Sequence, residues 1–344
     1  MRLALFGAGS IGSVHARSAA RMAGAELVAV YDIRPERAES VAKKAGARAF
    51  HNLEEPAGAP EWGAAEAVLI CVPTYLHEEL AVWAAVRGKH VFCEKPLALT
   101  AASALRIETA CRESGVRLGV GHVVRFAPEY QAVRERLRQG AAGEIGTIRT
   151  FRGGSFPVAW DNWYADDARS GGVIMDLLIH DLDYVDWAHG PIARVFARRL
   201  APAARSGRDY ALVVGRTDGG AVFHMEATWA HAGGFRYGFE YAGARGLAQF
   251  DSRRSAPVQL ALAEEQGRAG VTVPESPAEK SPYQLELEAF AAAVARGEEP
   301  PVNGADGIRA LQLSLACLRS AAERRPVDTP ARAGETPAQG GARS

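Results

Sequence analysis

Glycines at positions 7, 9 and 12 constrain this chain more than any other feature of it. They form G-x-G-x-x-G directly after a short apolar run, residues 2–6 (RLALF), and open a segment that reads as a helix to about Met22. The placement matters more than the pattern. Between a strand and a helix, Gly7 permits the tight turn, Gly9 lets backbone approach a pyrophosphate, and Gly12 lets the helix close on the sheet. The helix N-terminus then offers unpaired N–H groups and a positive dipole end to the anion. A second apolar run, residues 26–31, ends in Asp32, 20 residues beyond Gly12, where a carboxylate accepts hydrogen bonds from ribose hydroxyls. Gly7, Gly9, Ser10, Ile11, Gly12 and Asp32 are therefore candidate cofactor contacts. An acid at position 32 repels a 2′-phosphate and favours NAD, while Arg34 and Arg37 nearby leave NADP as the alternative.

The same rhythm continues. Apolar runs at 67–72 (AVLICV), 90–93 and 117–120 alternate with helical segments at about 34–44, 78–86 and 101–113. Strands alternating with helices imply a parallel, doubly wound sheet, an α/β domain over residues 1–123. Beyond it the pattern changes to α+β. Helices are expected at about 128–139 and 172–188. Longer alternating strands are expected at 146–153, 192–200, 209–216, 220–230, 234–241 and 246–251. Short turns such as Thr217-Asp218-Gly219-Gly220 suggest an antiparallel sheet. Helices at about 281–296 and 304–324 close a second domain, residues 124–328. Residues 329–344, rich in Pro, Gly and Ala, read as a disordered tail.

Forty basic residues balance forty acidic ones, which gives no support for nucleic acid or an anionic membrane as partner. No apolar stretch reaches the length of a membrane span, and the first residues lack a secretory pattern. Cys71, Cys93, Cys111 and Cys317 form no C-x-x-C pair and no zinc-ligand spacing, so no metal is expected and a reducing cytoplasm fits.

Two further segments carry chemistry. In Val91-Phe92-Cys93-Glu94-Lys95-Pro96-Leu97 a strand delivers Lys95 to the carboxyl edge of the sheet, where doubly wound folds bind ligands. In residues 170–183 (SGGVIMDLLIHDLD), Asp176, His180 and Asp183 cluster within roughly 60° on one face of an α-helix, opposite Ile174, Leu178, Leu182 and Val185. That polar face either meets water or lines a cleft, with Asp176 orienting His180 for proton transfer. A metal would require a further ligand cluster.

Together these segments resemble the Gfo/Idh/MocA oxidoreductase family, named for glucose–fructose oxidoreductase and inositol 2-dehydrogenase. The likeness runs from the glycine loop through VPTYLHEELAVWAAVRGKHVFCEKPLALT and GHVVRFAP to SGGVIMDLLIHDLDYVDW and GADGIRALQLSLACLRSAAERRPV. It implies a Rossmann domain followed by a domain with a large, predominantly antiparallel, open-faced sheet that forms homodimers or homotetramers. It further implies hydride transfer between NAD(P) and a secondary alcohol of a sugar, inositol or related polyol. By position, Lys95, Asp176 and His180 match the family's catalytic residues. Pro73, Thr74, His77, Glu94 and Lys95 border the cofactor. Asp183 matches a position that contacts substrate hydroxyls together with Lys95, and Arg125, after the last Rossmann strand, is placed to face the cleft. Trp160, Asp161, Asn162 and Trp163 offer further polar contacts to a polyol, with a core or lid role as the alternative for the two tryptophans. In alcohol oxidation His180 would take the hydroxyl proton and Lys95 would stabilise charge on that oxygen. Two other readings stand beside this one. One is an NAD-dependent glycosidase working by transient oxidation and elimination; the other is a nucleotide-sensing relative without catalysis.

Overall fold

The computed structural model describes residues 1–54, 59–200, 209–254, 258–262 and 280–331. The chain forms two compact units, Met1–Phe126 with Glu279–Ile308, and Ala127–Ala278 with Arg309–Ser344. The first unit begins β1 (Arg2–Phe6), α1 (Ser10–Ala19), β2 (Glu26–Tyr31), α2 (Pro35–Ala45) and β3 (Arg48–Phe50). It continues α3 (Pro60–Ala64), β4 (Ala67–Ile70), α4 (His77–Ala85), β5 (His90–Glu94), α5 (Ala101–Glu113) and β6 (Leu118–Gly121). Its six strands are all parallel, in the order β3-β2-β1-β4-β5-β6. Central strands covered on both faces must be apolar throughout, and every residue of β4 is buried. Helix punctuation is local. Pro35 sits in the first turn of α2 and left-handed Gly46 ends it, while the Thr100 side chain caps α5 by accepting from Ser103 N–H.

The second unit contains α6 (Pro128–Arg138), β7 (Ile145–Gly153), α7 (Asp167–Ser170) and α8 (Ile179–Ala188), then a run of strands. These are β8 (Ile192–Leu200), β9 (Tyr210–Thr217), β10 (Val222–Thr228), β11 (Arg236–Gly243), β12 (Gly246–Asp251) and β13 (Val258–Leu262). The remaining elements are α9 (Pro282–Arg296), α10 (Gly304–Glu323) and β14 (Val327–Asp328). The second sheet has eight strands in the order β13-β12-β11-β7-β10-β9-β8-β14. Its pairs are antiparallel except β7–β10, which is parallel, so the sheet is mixed rather than a simple run of hairpins. The turn at 217–220 does join β9 to β10. Alternation sorts the strands' two faces. Val195, Ala197, Ala211, Val213, Phe223 and Met225 are buried, whereas Leu212, Val214 and Val222 are exposed on the other side. Tyr130 of α6 and Tyr184 of α8 meet edge to face at 4.6 Å between centroids, and Phe239 joins them. The Tyr184 hydroxyl donates to Tyr130 O at 2.7 Å, so its polar end is satisfied inside an aromatic core.

Helix α9, placed with the second domain when the chain is divided linearly, belongs to the first unit. Leu287 and Phe290 join the core built by Leu3, Leu5, Val30, Leu69 and Phe92. An apolar helical stripe specifies that it must be covered, not by what. Residues 332–344 of the expected tail lie outside the described residues.

Two buried ion pairs lock α8 in place. Arg152 of β7 forks onto Asp181 (Nε to Oδ2 2.9 Å, Nη2 to Oδ1 3.1 Å). Arg309 of α10 does the same to Asp186 (Nη2 to Oδ1 2.6 Å, Nε to Oδ2 3.1 Å). Removing one partner strands a buried charge. Arg152→Met should therefore cost about 3–5 kcal/mol in urea unfolding, and the double change Arg152→Met/Asp181→Leu should recover most of it. A double variant no more stable than the single one would contradict this account.

Candidate functional site

The glycine loop is built by contact as much as by conformation. Gly7 has φ +94°, and a Cβ there would lie 2.5 Å from the carbonyl oxygen of Cys71, beyond the end of β4. A Cβ on Gly12 would overlap the carbonyl of Gly7. Both positions exclude a side chain on internal grounds. Gly9 differs. Nothing lies within 4 Å of a Cβ placed there, so the protein leaves space beside the backbone at the start of α1. This is the geometry a pyrophosphate needs, with Ser10 exposed and Ile11 half-buried at the same helix end. Asp32 is buried and closes the loop, its Oδ2 accepting from Ala8 N–H (2.8 Å) and Oδ1 from Arg34 N–H (2.9 Å). The Arg34 side chain lies 3.6 Å from the same carboxylate. The carboxylate keeps further lone pairs for ribose hydroxyls.

Lys95 follows β5 and is half-buried, with a cis bond to Pro96. The residues flanking it are held by two buried histidines. Glu94 Oε1 accepts from His15 Nε2 of α1 at 2.6 Å, and its Oε2 accepts from the Lys95 N–H at 3.1 Å. Burial opposes ionisation of Glu94, but His15 and Lys95 outweigh it and hold its pKa below the usual value. On the other side, His77 Nδ1 lies 2.9 Å from Pro96 O and Nε2 lies 3.0 Å from Val72 O. Burial lowers the His77 pKa, against the pull of the two carbonyls and of Glu94. A neutral ring donates to only one of the two oxygens. Pro73 precedes a 3₁₀ turn at Thr74–Leu76, in which Thr74 is buried. Thus the side chains of Glu94 and His77, expected to border a cofactor, are turned inward as ties between strand ends. Arg125, expected to face substrate, is 4% exposed and donates to Asp306 Oδ1 at 2.9 Å.

In the second unit the helix expected at 172–188 is not uniform. Ile174–Leu178 forms a π-type turn, and α8 begins after it at Ile179. Such turns carry one extra residue per turn and recur at functional sites, so a strict 3.6-residue period does not describe Asp176 and His180. Its polar side chains do not share one wet face. Between Val173 and Asp186, Asp176 and His180 alone are half-buried and every other residue is buried. Asp181 and Asp186 are consumed by Arg152 and Arg309, and Asp183 is 2% exposed. Upstream, Trp163 is buried and stacked on Tyr164 at 3.9 Å, while Trp160 is exposed. Between them Asp161 (φ 53°) and Asn162 (φ 46°) both adopt left-handed backbone, and Asp161 accepts from Arg169 at 2.8 Å. Consecutive non-glycine residues in that region mark local strain, a common companion of ligand-contacting loops.

Two family models cover the chain: an oxidoreductase-family NAD-binding Rossmann fold over residues 1–122, and the matching C-terminal alpha/beta domain over 134–329. The chain belongs to the Gfo/Idh/MocA oxidoreductase family. Inositol 2-dehydrogenase of Rhizobium meliloti is 31% identical over 337 residues, covering 95% of this chain and 98% of that protein. Myo-inositol 2-dehydrogenase of Thermotoga maritima is 31% identical over 336 residues, with 95% and 98% covered. Among solved structures, levoglucosan dehydrogenase in complex with NADH superposes with a TM-score of 0.85 at 24% identity, covering 96% of this chain and 99% of that one, a likeness of fold. The family resemblance and the two-part fold class read from sequence are both borne out. Among the described residues, no helix is long and apolar enough to cross a membrane.

Sequence reasoning missed His15 and Glu286, which stand with Glu94 as the group of buried ligand-type side chains among the described residues. It also missed the pairing of Arg152 and Arg309 with the acids of α8. No local pattern announces these partners.

Two outcomes follow from this geometry. Gly9→Ala should keep the wild-type Tm while weakening NADH binding, measured by fluorescence titration, whereas Gly12→Ala should lower both. Equal loss of Tm in the two variants would refute the distinction. His77 sets a pH dependence. Its native pKa lies below the unfolded value of about 6.5, so stability is present above that pH and is lost as pH falls toward the native pKa. The stability advantage of wild type over His77→Gln should shrink between about pH 7.5 and 5.5 in urea unfolding.

Proposed function

We propose that this chain is an NAD-dependent dehydrogenase that oxidises a secondary alcohol of an inositol, sugar or related polyol, or runs the reverse reduction. The observation that carries the reading is the half-open Asp176 and His180 on an otherwise buried helix, in a chain whose first unit has an intact dinucleotide loop. An acid and an imidazole kept within reach of ligand, where their neighbours are sealed, suit proton exchange rather than packing. The inositol dehydrogenases to which the chain is similar along nearly its whole length supply the substrate class.

The nicotinamide of a bound NAD supplies the acceptor for the substrate's C–H electron pair. The chain's own residues do the rest. His180 takes the hydroxyl proton, with Asp176 orienting the ring and stabilising its charged form. Lys95, the family's matching lysine, is assigned the role of steadying negative charge that grows on an alcohol oxygen as its proton leaves. Asp183 and Trp163 contribute to the substrate side, and Pro73 and Thr74 to the cofactor side. NAD is preferred to NADP because the Asp32 carboxylate, fixed by two backbone N–H groups, would face a 2′-phosphate. The exposed apolar residues of the second sheet, Leu212, Val214 and Val222 among them, support a homodimer or homotetramer through that face. Four free, buried cysteines fit a cytoplasmic setting.

Lys95→Ala and His180→Ala should each lower kcat with NAD and myo-inositol, or with the best polyol of a panel, by about 10²–10⁴-fold. NADH binding should stay within about threefold of wild type, because neither side chain is assigned to the pyrophosphate or ribose. Wild-type turnover in both variants would sink the assignment.

A further inference from the structure

Glu286 of α9 is 1% exposed, and neither carboxylate oxygen has a hydrogen-bond partner. It stands against the His15–Glu94 pair, with one ligand-type atom from each of the three residues lying within 4.8 Å of the others. His15 is itself fully buried, and its Nδ1 is also without a partner. The surroundings are otherwise apolar. Phe92 and Tyr283 put ring edges on His15, and Phe92, Val120, Phe290 and Pro301 share a small recess with Glu286. The other titratable groups facing this cluster are the Cys71 and Cys93 thiols, which burial and then Glu94 push toward the neutral form, together with Lys95 and His77 beside Glu94 and Tyr283 against His15. A second bare carboxylate beside Glu94 in such a place would be costly, and a neutral acid would supply the donor that the cluster lacks.

We propose that Glu286 carries a proton and, with His15 and Glu94, forms a buried shared-proton triad that fixes the aim of Lys95. The route is short. Glu94 Oε2 accepts from the Lys95 backbone N–H, so whatever holds the Glu94 carboxylate holds the residue that follows it. His15 ties that carboxylate to α1, which the glycine loop opens, and Glu286 stands beside it from α9, where a proton on its carboxyl group would supply the tie. Gly121 of β6 leaves the necessary space, since a Cβ there would lie 3.1 Å from the Glu94 carboxylate. Carboxyl pairs that share one proton are an established way of keeping two acids together without two charges. Burial and the Glu94 charge raise the Glu286 pKa well above its ordinary value, in the direction the triad requires. The triad's action on turnover rests on the reading of Lys95 as catalytic; its protonation does not.

The test uses the full chain as wild type, Glu286→Gln, Glu286→Leu and Lys95→Ala. Thermal unfolding from about pH 5 to 8.5 needs no substrate. The native acid keeps a proton that the unfolded chain releases above about pH 4.3, so wild-type stability falls as pH rises toward the native pKa. Glu286→Gln has no such loss, and its Tm should gain on wild type progressively across the range. A constant difference would overturn the protonated acid. In turnover with NAD and myo-inositol, or the best polyol of the panel, Glu286→Leu should lower kcat between about tenfold and a hundredfold. Its KM for NAD should change little, its pH profile for kcat should shift, and Glu286→Gln should recover most of the loss. An inactive Lys95→Ala beside a Glu286→Leu with wild-type kcat and pH profile overturns the triad alone. An active Lys95→Ala overturns the catalytic reading, and the Tm series still decides the triad's protonation. One equivalent of divalent metal in the purified wild type, absent from Glu286→Gln by elemental analysis, would show a metal site in place of a shared proton and overturn the proposal.

Discussion

The turn from β1 into α1 admits no side chain at Gly7 or Gly12, and the first unit is arranged around that exclusion. Gly7 packs against the carbonyl of Cys71, which brings the exits of β1 and β4 together where the strand order reverses. A reversal of this kind leaves the carboxyl edge of the sheet open between two diverging helices, the usual place for a ligand in a doubly wound fold. Asp32, from the end of β2, is hydrogen-bonded to Ala8 in the loop, and His77 lies between the carbonyls of Val72, after β4, and Pro96, after β5, donating to one of them. Four strand ends are thus joined by short polar contacts made within the protein. Rigidity of this sort lowers the ordering cost of binding a long, flexible dinucleotide.

The second unit solves a different problem. Its helix at 174–188 carries four aspartates and a histidine through an aromatic and aliphatic core, where unpaired charge is expensive. Arg152 and Arg309 neutralise Asp181 and Asp186 with two-pronged contacts, and the geometry leaves Asp176 and His180 as the half-open exceptions. Buried ion pairs of this type add little net stability. Their effect is to fix the rotation of the helix, and with it the direction in which the two open residues face. The π-type turn at Ile174–Leu178 adjusts the same rotation locally, at the turn that bears Asp176.

What the sequence made legible is what lies on local pattern. β4 reads as a strand because both of its faces are buried, and the glycine loop reads as a ligand turn because its spacing puts glycine at the two places where a side chain would collide, Gly7 and Gly12, and at Gly9, where the space stays open. β3 and β14 escaped notice because three and two residues are too few to show a period. The parallel β7–β10 pair was invisible for another reason: alternation fixes which face is buried but says nothing of strand direction. The pairing of Asp181 and Asp186 could not be read from local sequence because their arginines lie 29 and 123 residues away. The same limit applies to α9. Its apolar stripe was plain, but the sheet it covers is encoded at the other end of the chain.

The flanks of Lys95 show how far this limit reaches into the candidate site. Read along the chain, Glu94 and His77 look like polar residues waiting for a ligand; in the fold their side chains are spent on the protein itself. A lysine side chain has four flexible methylenes and loses much rotamer freedom when it is held in one place. Its backbone must therefore be fixed first if the ammonium group is to meet a particular oxygen. Glu94 and Pro96 are the residues through which that can be done, because they immediately flank Lys95, and each is held by a histidine with almost no exposure to solvent. A sealed imidazole exchanges protons poorly with water, which suits a tie and not a catalyst. His180 is the opposite case, half-open on a helix that is otherwise closed. Burial alone separates these three histidines: His15 and His77 are sealed, and His180 is half-open.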